Sequence, residues 1–184
     1  MLIDRAIPVA LQVLQANLPI LSRVAAERKR LENWLRLEML KILMKEYPSI
    51  EIEKGLPGGQ ERCDFWLMES ETLQNWLELK LCVTNYCSRY CTNTSPRPIT
   101  NQISEIERDL RKLERLPETQ SRNILLIAYP FPDSSETQPQ WLPHLARLKT
   151  AAGQVSEVFT VQLEHNGNFA RAVAYSLAPK RAAA

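Results

Sequence analysis

The stretch Trp76-Leu77-Glu78-Leu79-Lys80-Leu81-Cys82-Val83 places two charges inside an apolar run. Side chains alternate between the two faces of a strand. Leu77, Leu79, Leu81 and Val83 then share one face, and Trp76, Glu78, Lys80 and Cys82 share the other. Glu78 and Lys80 become neighbours about 7 Å apart along that second face. The preceding run, Arg62–Glu69, alternates in the same way and reads as a second strand. A tight turn centred on Glu71 pairs Glu69 with Leu73, and the same register sets Asp64 opposite Glu78. Directly opposed residues point to one face, with Cβ atoms about 5 Å apart. Two carboxylates and an ammonium are therefore expected to converge. A slip of one residue would break the arrangement.

Two carboxylates this close repel unless a cation sits between them. A hard divalent ion suits the pair, because Mg²⁺ takes one or two carboxylates and completes its shell with water and phosphate oxygens. The backbone carbonyl of Leu79 offers a further ligand. Lys80 would position a water or stabilise charge on a phosphate. The implied chemistry is metal-assisted hydrolysis of a phosphodiester, with Mg²⁺ or Mn²⁺ as cofactor. The competing reading is a Glu78–Lys80 salt bridge on a wet sheet face. Glu-x-Lys is not a distinctive pattern, since Glu27-Arg28-Lys29 repeats it in a predicted helix. A third carboxylate favours the metal. On a helical wheel Glu38 falls among Leu31, Trp34, Leu35 and Ile42, inside the apolar stripe. Glu32 lies nearer the edge of that stripe and is the weaker candidate.

Outward from this stretch, the pattern gives a helix over residues 4–16 and a long one from Leu18 to Tyr47, stopped by Pro48. Ser49–Lys54 reads as a strand, Leu56–Gly59 as a turn, and Leu73–Thr84 as the strand carrying the charges. A polar loop follows over 85–98, then a helix from Thr100 or Asn101 that ends by Pro117, with Ile103, Ile106, Leu110 and Leu113 inward. Asn123–Tyr129 is almost wholly apolar and reads as a buried strand. Gln140–Ala152 reads as a helix closed by Gly153. Val155–Leu163 and Phe169–Leu177 form a hairpin about Asn166-Gly167, a type I′ turn signal. The order ααβββαβαββ predicts an α/β fold with a mixed sheet flanked by helices.

Asp64, thirteen intervening residues, then Glu78-Leu79-Lys80 in an apolar strand, after a helix bearing Glu38, resembles the PD-(D/E)XK nuclease superfamily. The resemblance covers roughly residues 31–129. It implies a restriction-endonuclease-like αβββαβ core, here with an N-terminal helical extension (1–30) and a C-terminal hairpin, in a single domain with its core over 31–177. It implies Asp64 and Glu78 as metal ligands, Lys80 as the catalytic lysine, Glu38 as an accessory acid and Gln102 as a helper glutamine. Cys63 stands where many members carry proline. The expected function is a metal-dependent nuclease acting on DNA. The alternative is a nuclease-fold subunit that no longer cleaves, and that binds nucleic acid or scaffolds a complex.

Composition agrees with a globular chain. Of 184 residues, 45% are hydrophobic and 24% charged, and the mean hydropathy is −0.28. A net charge of +2 excludes a polycationic tail, though not a local basic groove. No uninterrupted apolar run is long enough to span a membrane, and the N-terminus lacks a signal-peptide pattern, so a cytoplasmic location is expected. The two histidines, His144 and His165, sit in no nucleophile motif, and no phosphate-cradling glycine loop occurs. Cys63, Cys82, Cys87 and Cys91 have unusual spacing for a zinc or iron–sulfur site, and Cys63 and Cys82 read better as core residues. Tyr86, Arg89, Tyr90 and Arg97 suit either base stacking and phosphate contact or an ordinary loop. Arg108, Arg111, Lys112 and Arg115, mixed with Glu105, Glu107, Asp109 and Glu114, read as a solvated face. Trp141 is expected in the core. The first helix, with Ile7, Leu11 and Leu14, either docks internally or forms a homodimer or partner interface.

Overall fold

The computed structural model describes residues 1–87, 89–91, 98–133 and 138–180. Three helices come first: α1 (Leu2–Ala16), α2 (Leu18–Ala26) and α3 (Glu32–Glu46). Strands β1 (Glu51–Gly55), β2 (Arg62–Met68) and β3 (Gln74–Val83) follow, then α4 (Ile99–Glu114) and β4 (Ser121–Pro132). A short 3-10 turn at Pro139–Trp141 leads into α5 (Leu142–Ala151), and β5 (Ala152–His165) with β6 (Asn168–Pro179) ends the chain. The strands form one mixed sheet in the order β1-β2-β3-β4-β6-β5. β3 and β4 run parallel, and every other neighbouring pair is antiparallel.

The expected alternation of β3 divides the core. Leu77, Leu79, Leu81 and Val83 pack with buried residues of α1, α2 and α3 on one face. Trp76 and Cys82 pack with Ile103, Ile106, Leu110, Leu113 and Trp141 on the other. The inward positions expected on α4 are thus buried. α1 docks internally, burying Leu2, Ile3, Ala6, Val9, Ala10, Val13 and Leu14. Burying a leucine or valine side chain contributes roughly 1.5–3 kcal/mol, so α1 is integral to this layer. No single described helix is long and apolar enough to cross a membrane; α1 and α2 together reach that length but are bent by 83°.

Two local readings need correction, and a third, left open between two alternatives, narrows. The predicted helix Leu18–Tyr47 is two helices, broken at 27–31, where Arg28 takes a left-handed φ of 53°. The Lys29 carbonyl there accepts the Tyr129 hydroxyl at 2.8 Å, which anchors the break to β4. A run of four charged residues offers no apolar side chain to hold a continuous helix against the sheet. Gly153 does not close α5 but lies within β5. A Cβ on it would stand 3.0 Å from the Pro179 carbonyl oxygen and 3.1 Å from the Lys180 Cα, so a side chain there would press on the backbone at the end of β6. Tyr90 is buried, and its hydroxyl donates to the Ser22 carbonyl at 2.7 Å, so it presents no stacking surface. Arg97 lies outside the described residues. The hairpin follows its signal: His165 pairs with Asn168, and Asn166 and Gly167 both take positive φ.

Candidate functional site

β2 and β3 pair in the register read from the sequence. Phe65 faces Leu77, Met68 faces Gln74, and the Glu69 N–H donates to the Leu73 carbonyl across the turn. Continuing this register by one step sets Asp64 beside Glu78. The ladder itself stops at Phe65. Cys63 and Phe65, which would share a face in a regular strand, fall in opposite core layers, so β2 twists away from β3 at Asp64 while it stays paired with β1 through Arg62. Asp64 therefore reaches the edge of β3, where its Oδ2 accepts the Leu79 N–H at 2.8 Å.

Beyond that point side chains replace a strand along the β3 edge. The Leu81 N–H donates to Glu32 Oε2 at 3.0 Å. The Val83 N–H donates to Gln102 Oε1, and Gln102 Nε2 donates to the Val83 carbonyl, both at 2.9 Å. Three side chains from three elements thus satisfy the backbone donors of alternate residues, as buried N–H groups require. Gln102 lies early in α4, and its amide is committed to β3 and to Arg30, which donates to Oε1 at 2.9 Å.

Glu78 and Lys80 lie on the α4 side of β3. Lys80 Nζ is 3.1 Å from Glu78 Oε1 and 3.1 Å from Asp109 Oδ2. Lys112 Nζ is 2.9 Å from Glu78 Oε2 and 3.4 Å from Asp109 Oδ1, and it donates to the Arg62 carbonyl at 2.8 Å. From α3, Arg36 binds Asp64 Oδ1 at 2.8 Å and also Glu53. All four carboxylate oxygens of Asp64 and Glu78 therefore meet an N–H donor or a cation.

Burial raises the Glu78 carboxyl above its usual range, and the nearby negative charge of Asp64 raises it further. Glu32 is raised too, by burial first, with Lys80 acting against the shift. Burial works against the Lys80 charge, but Glu78, Asp109, Glu32 and Asp64 together outweigh it and raise its pKa. Lys112 follows the same pattern, burial being outweighed chiefly by Glu78. The Cys63 thiol is pushed well up by burial and by Glu78, and so is a poor nucleophile. A cleft of about 230 Å³ reaches Lys80 where the start of α3 meets α4, lined by Arg30, Glu32, Gln102, Glu105 and Arg108.

The structure brings Asp64, Glu78 and Lys80 together, with Gln102 at the edge. It does not bring Glu38, which pairs with Lys41 on its own helix at 2.5 Å. The buried stripe of α3 is Leu35, Met39 and Leu43, not the one centred on Glu38. Glu32, seven residues before Met39, lies in line with that stripe and is the carboxylate at the site. Two further members, Asp109 and Lys112, belong to the helix face read as solvated, yet both are buried. Their spacing from Gln102, seven residues and then three, was the available signal.

Cys63 and Cys82 are buried core residues, as the sequence suggested. Among the described residues, no group of three or more His, Cys, Asp or Glu side chains is arranged to hold a metal ion. Comparison with protein-family models, curated proteins and solved structures finds no match to the chain.

Proposed function

We propose that this chain is a divalent-metal-dependent nuclease of the restriction-endonuclease-like kind, hydrolysing phosphodiester bonds in DNA. The observation that carries the reading is the meeting of Asp64, Glu78 and Lys80 where two adjacent strands part. The element run α3-β1-β2-β3-α4-β4 also agrees with the αβββαβ order that the resemblance implies.

The donor set fits a hard divalent cation: two neighbouring buried carboxylates, one of them raised by burial and then by the charge of the other, and the main-chain carbonyl of Leu79. Asp64, Glu78 and Leu79 would hold the ion, which when bound would supply Lewis acidity toward the scissile phosphate and lower the pKa of water. Lys80 keeps its charge against four carboxylates and lines the cleft, so it can bind a phosphate oxygen and orient a nucleophilic water. Arg30 and Arg108 on the cleft wall suit contacts to the flanking backbone.

One observation favours a second reading, a nuclease-fold subunit that does not cleave. Every oxygen of Asp64 and Glu78 already has a donor within the protein. The two readings separate in one experiment. Supercoiled plasmid and single-stranded DNA are incubated with the protein in Mg²⁺, in Mn²⁺, and in excess chelator. The nuclease reading expects cleavage in either metal and none in chelator. Binding of DNA with no cleavage under any condition favours the second reading.

A further inference from the structure

We propose that Lys112 is a resident counter-ion of Glu78 that yields to an incoming divalent cation, and that Asp109 is the acceptor that takes it up. The proposal rests on the metal-site reading above and concerns how that site is loaded.

Lys112 is placed for such a transfer. Its Nζ touches Glu78 Oε2 at 2.9 Å and stands 3.4 Å from Asp109 Oδ1, so a small movement exchanges one carboxylate for the other. The Arg62 carbonyl, at 2.8 Å, holds the ammonium between them. Asp109 has capacity to receive it. Its Oδ2 is buried without a well-formed hydrogen bond, although Lys80 lies 3.1 Å away. Asp109 and Lys112 are three residues apart on α4, so both face β3 from adjacent turns.

Charge explains why the device is needed. Asp64, Glu78, Asp109, Glu32 and Glu53 supply five carboxylates, against the four cations Lys80, Lys112, Arg36 and Arg30. Carboxylates packed this closely and away from water are costly without cations. Lys112 neutralises Glu78 when no metal is present. The same ammonium opposes a divalent ion on Glu78 until it moves to Asp109.

The test is Mn²⁺ binding, followed by calorimetry and by the electron paramagnetic resonance of the free ion, with circular dichroism as the check on folding. Lys112→Met is expected to bind Mn²⁺ about tenfold more tightly than the wild type, because one opposing charge is gone. Asp109→Asn is expected to bind it more weakly. The gain from Lys112→Met is expected to be larger in the Asp109→Asn background, where Lys112 has no carboxylate to move to. Should Lys112→Met not fold, Lys112→Gln removes the charge and keeps a hydrogen-bonding side chain. Equal or weaker binding by the Lys112 variants, with the wild type still binding Mn²⁺, overturns the proposal and leaves the metal site standing. Effects of the two substitutions that simply add overturn the transfer to Asp109. Absence of Mn²⁺ binding by wild type and variants alike overturns both this proposal and the metal-site reading.

Discussion

Replacing Lys80 by alanine is expected to lower metal-dependent cleavage by about 10²–10³-fold, the loss typical of removing one preorganised donor from a developing anion. Lys80 joins the buried carboxylates to the cleft. Its ammonium sits between Glu78 and Asp109, while its side chain lines the cavity that a substrate would enter. Burial opposes its charge, but four carboxylates outweigh that and raise its pKa. Its contribution is positive charge aimed at a phosphate and a donor for a water. The measurement is the initial rate of plasmid nicking at saturating Mg²⁺ for both proteins, with the thermal melt of each recorded alongside. Alanine also leaves Glu78 with Lys112 as its one remaining cation among the described residues, so a lower melting temperature is expected. A rate loss in protein that is fully folded at the assay temperature assigns the effect to chemistry. A mutant that cuts as fast as the wild type removes Lys80 from the mechanism.

Trp141→Ala is expected to destabilise the fold by about 3–5 kcal/mol, the range for emptying a large aromatic from a core. For a domain of this size that is a fall in melting temperature on the order of 10 °C. Trp141 is fully buried on the α4 face of the sheet. Its ring meets Phe131 edge-on at 5.5 Å between centroids, and its Nε1 donates to the Tyr175 hydroxyl at 3.1 Å. The substitution opens a cavity and leaves the buried Tyr175 hydroxyl without this donor. Urea denaturation measures it as a lower midpoint at unchanged slope. A loss under 1 kcal/mol would mean that α5 and the turn before it contribute little to this core layer.

The sequence made the strands of the site legible because short turns leave them little freedom. The tight turn at Glu71 sets the Asp64–Glu78 register, and Asn166-Gly167 sets the last hairpin. The alternation within 76–83 assigned the apolar residues of that stretch to their observed layers. The helices were less legible, and for one physical reason. A wheel shows where apolar residues cluster but not which side meets the sheet. On α3, half-buried Leu31, Trp34 and Ile42 pulled the apparent stripe toward Glu38, whereas packing chose Leu35, Met39 and Leu43 and brought Glu32 inward. On α4, Asp109 and Lys112 looked like members of an ion-paired surface because their partners, Glu78 and Lys80, are distant in sequence. The twist of β2 away from β3 at Asp64, which moves that carboxylate from the sheet face to the β3 edge, left no mark in the alternation.

The most direct test of the account is a crystal of the wild-type protein soaked in Mn²⁺, with the ion located by its anomalous scattering. The account predicts a peak coordinated by Asp64 and Glu78, with Lys80 close by. A peak elsewhere, or no ion on these carboxylates at saturating Mn²⁺ in a crystal that admits it, would contradict the metal site on which the nuclease reading stands.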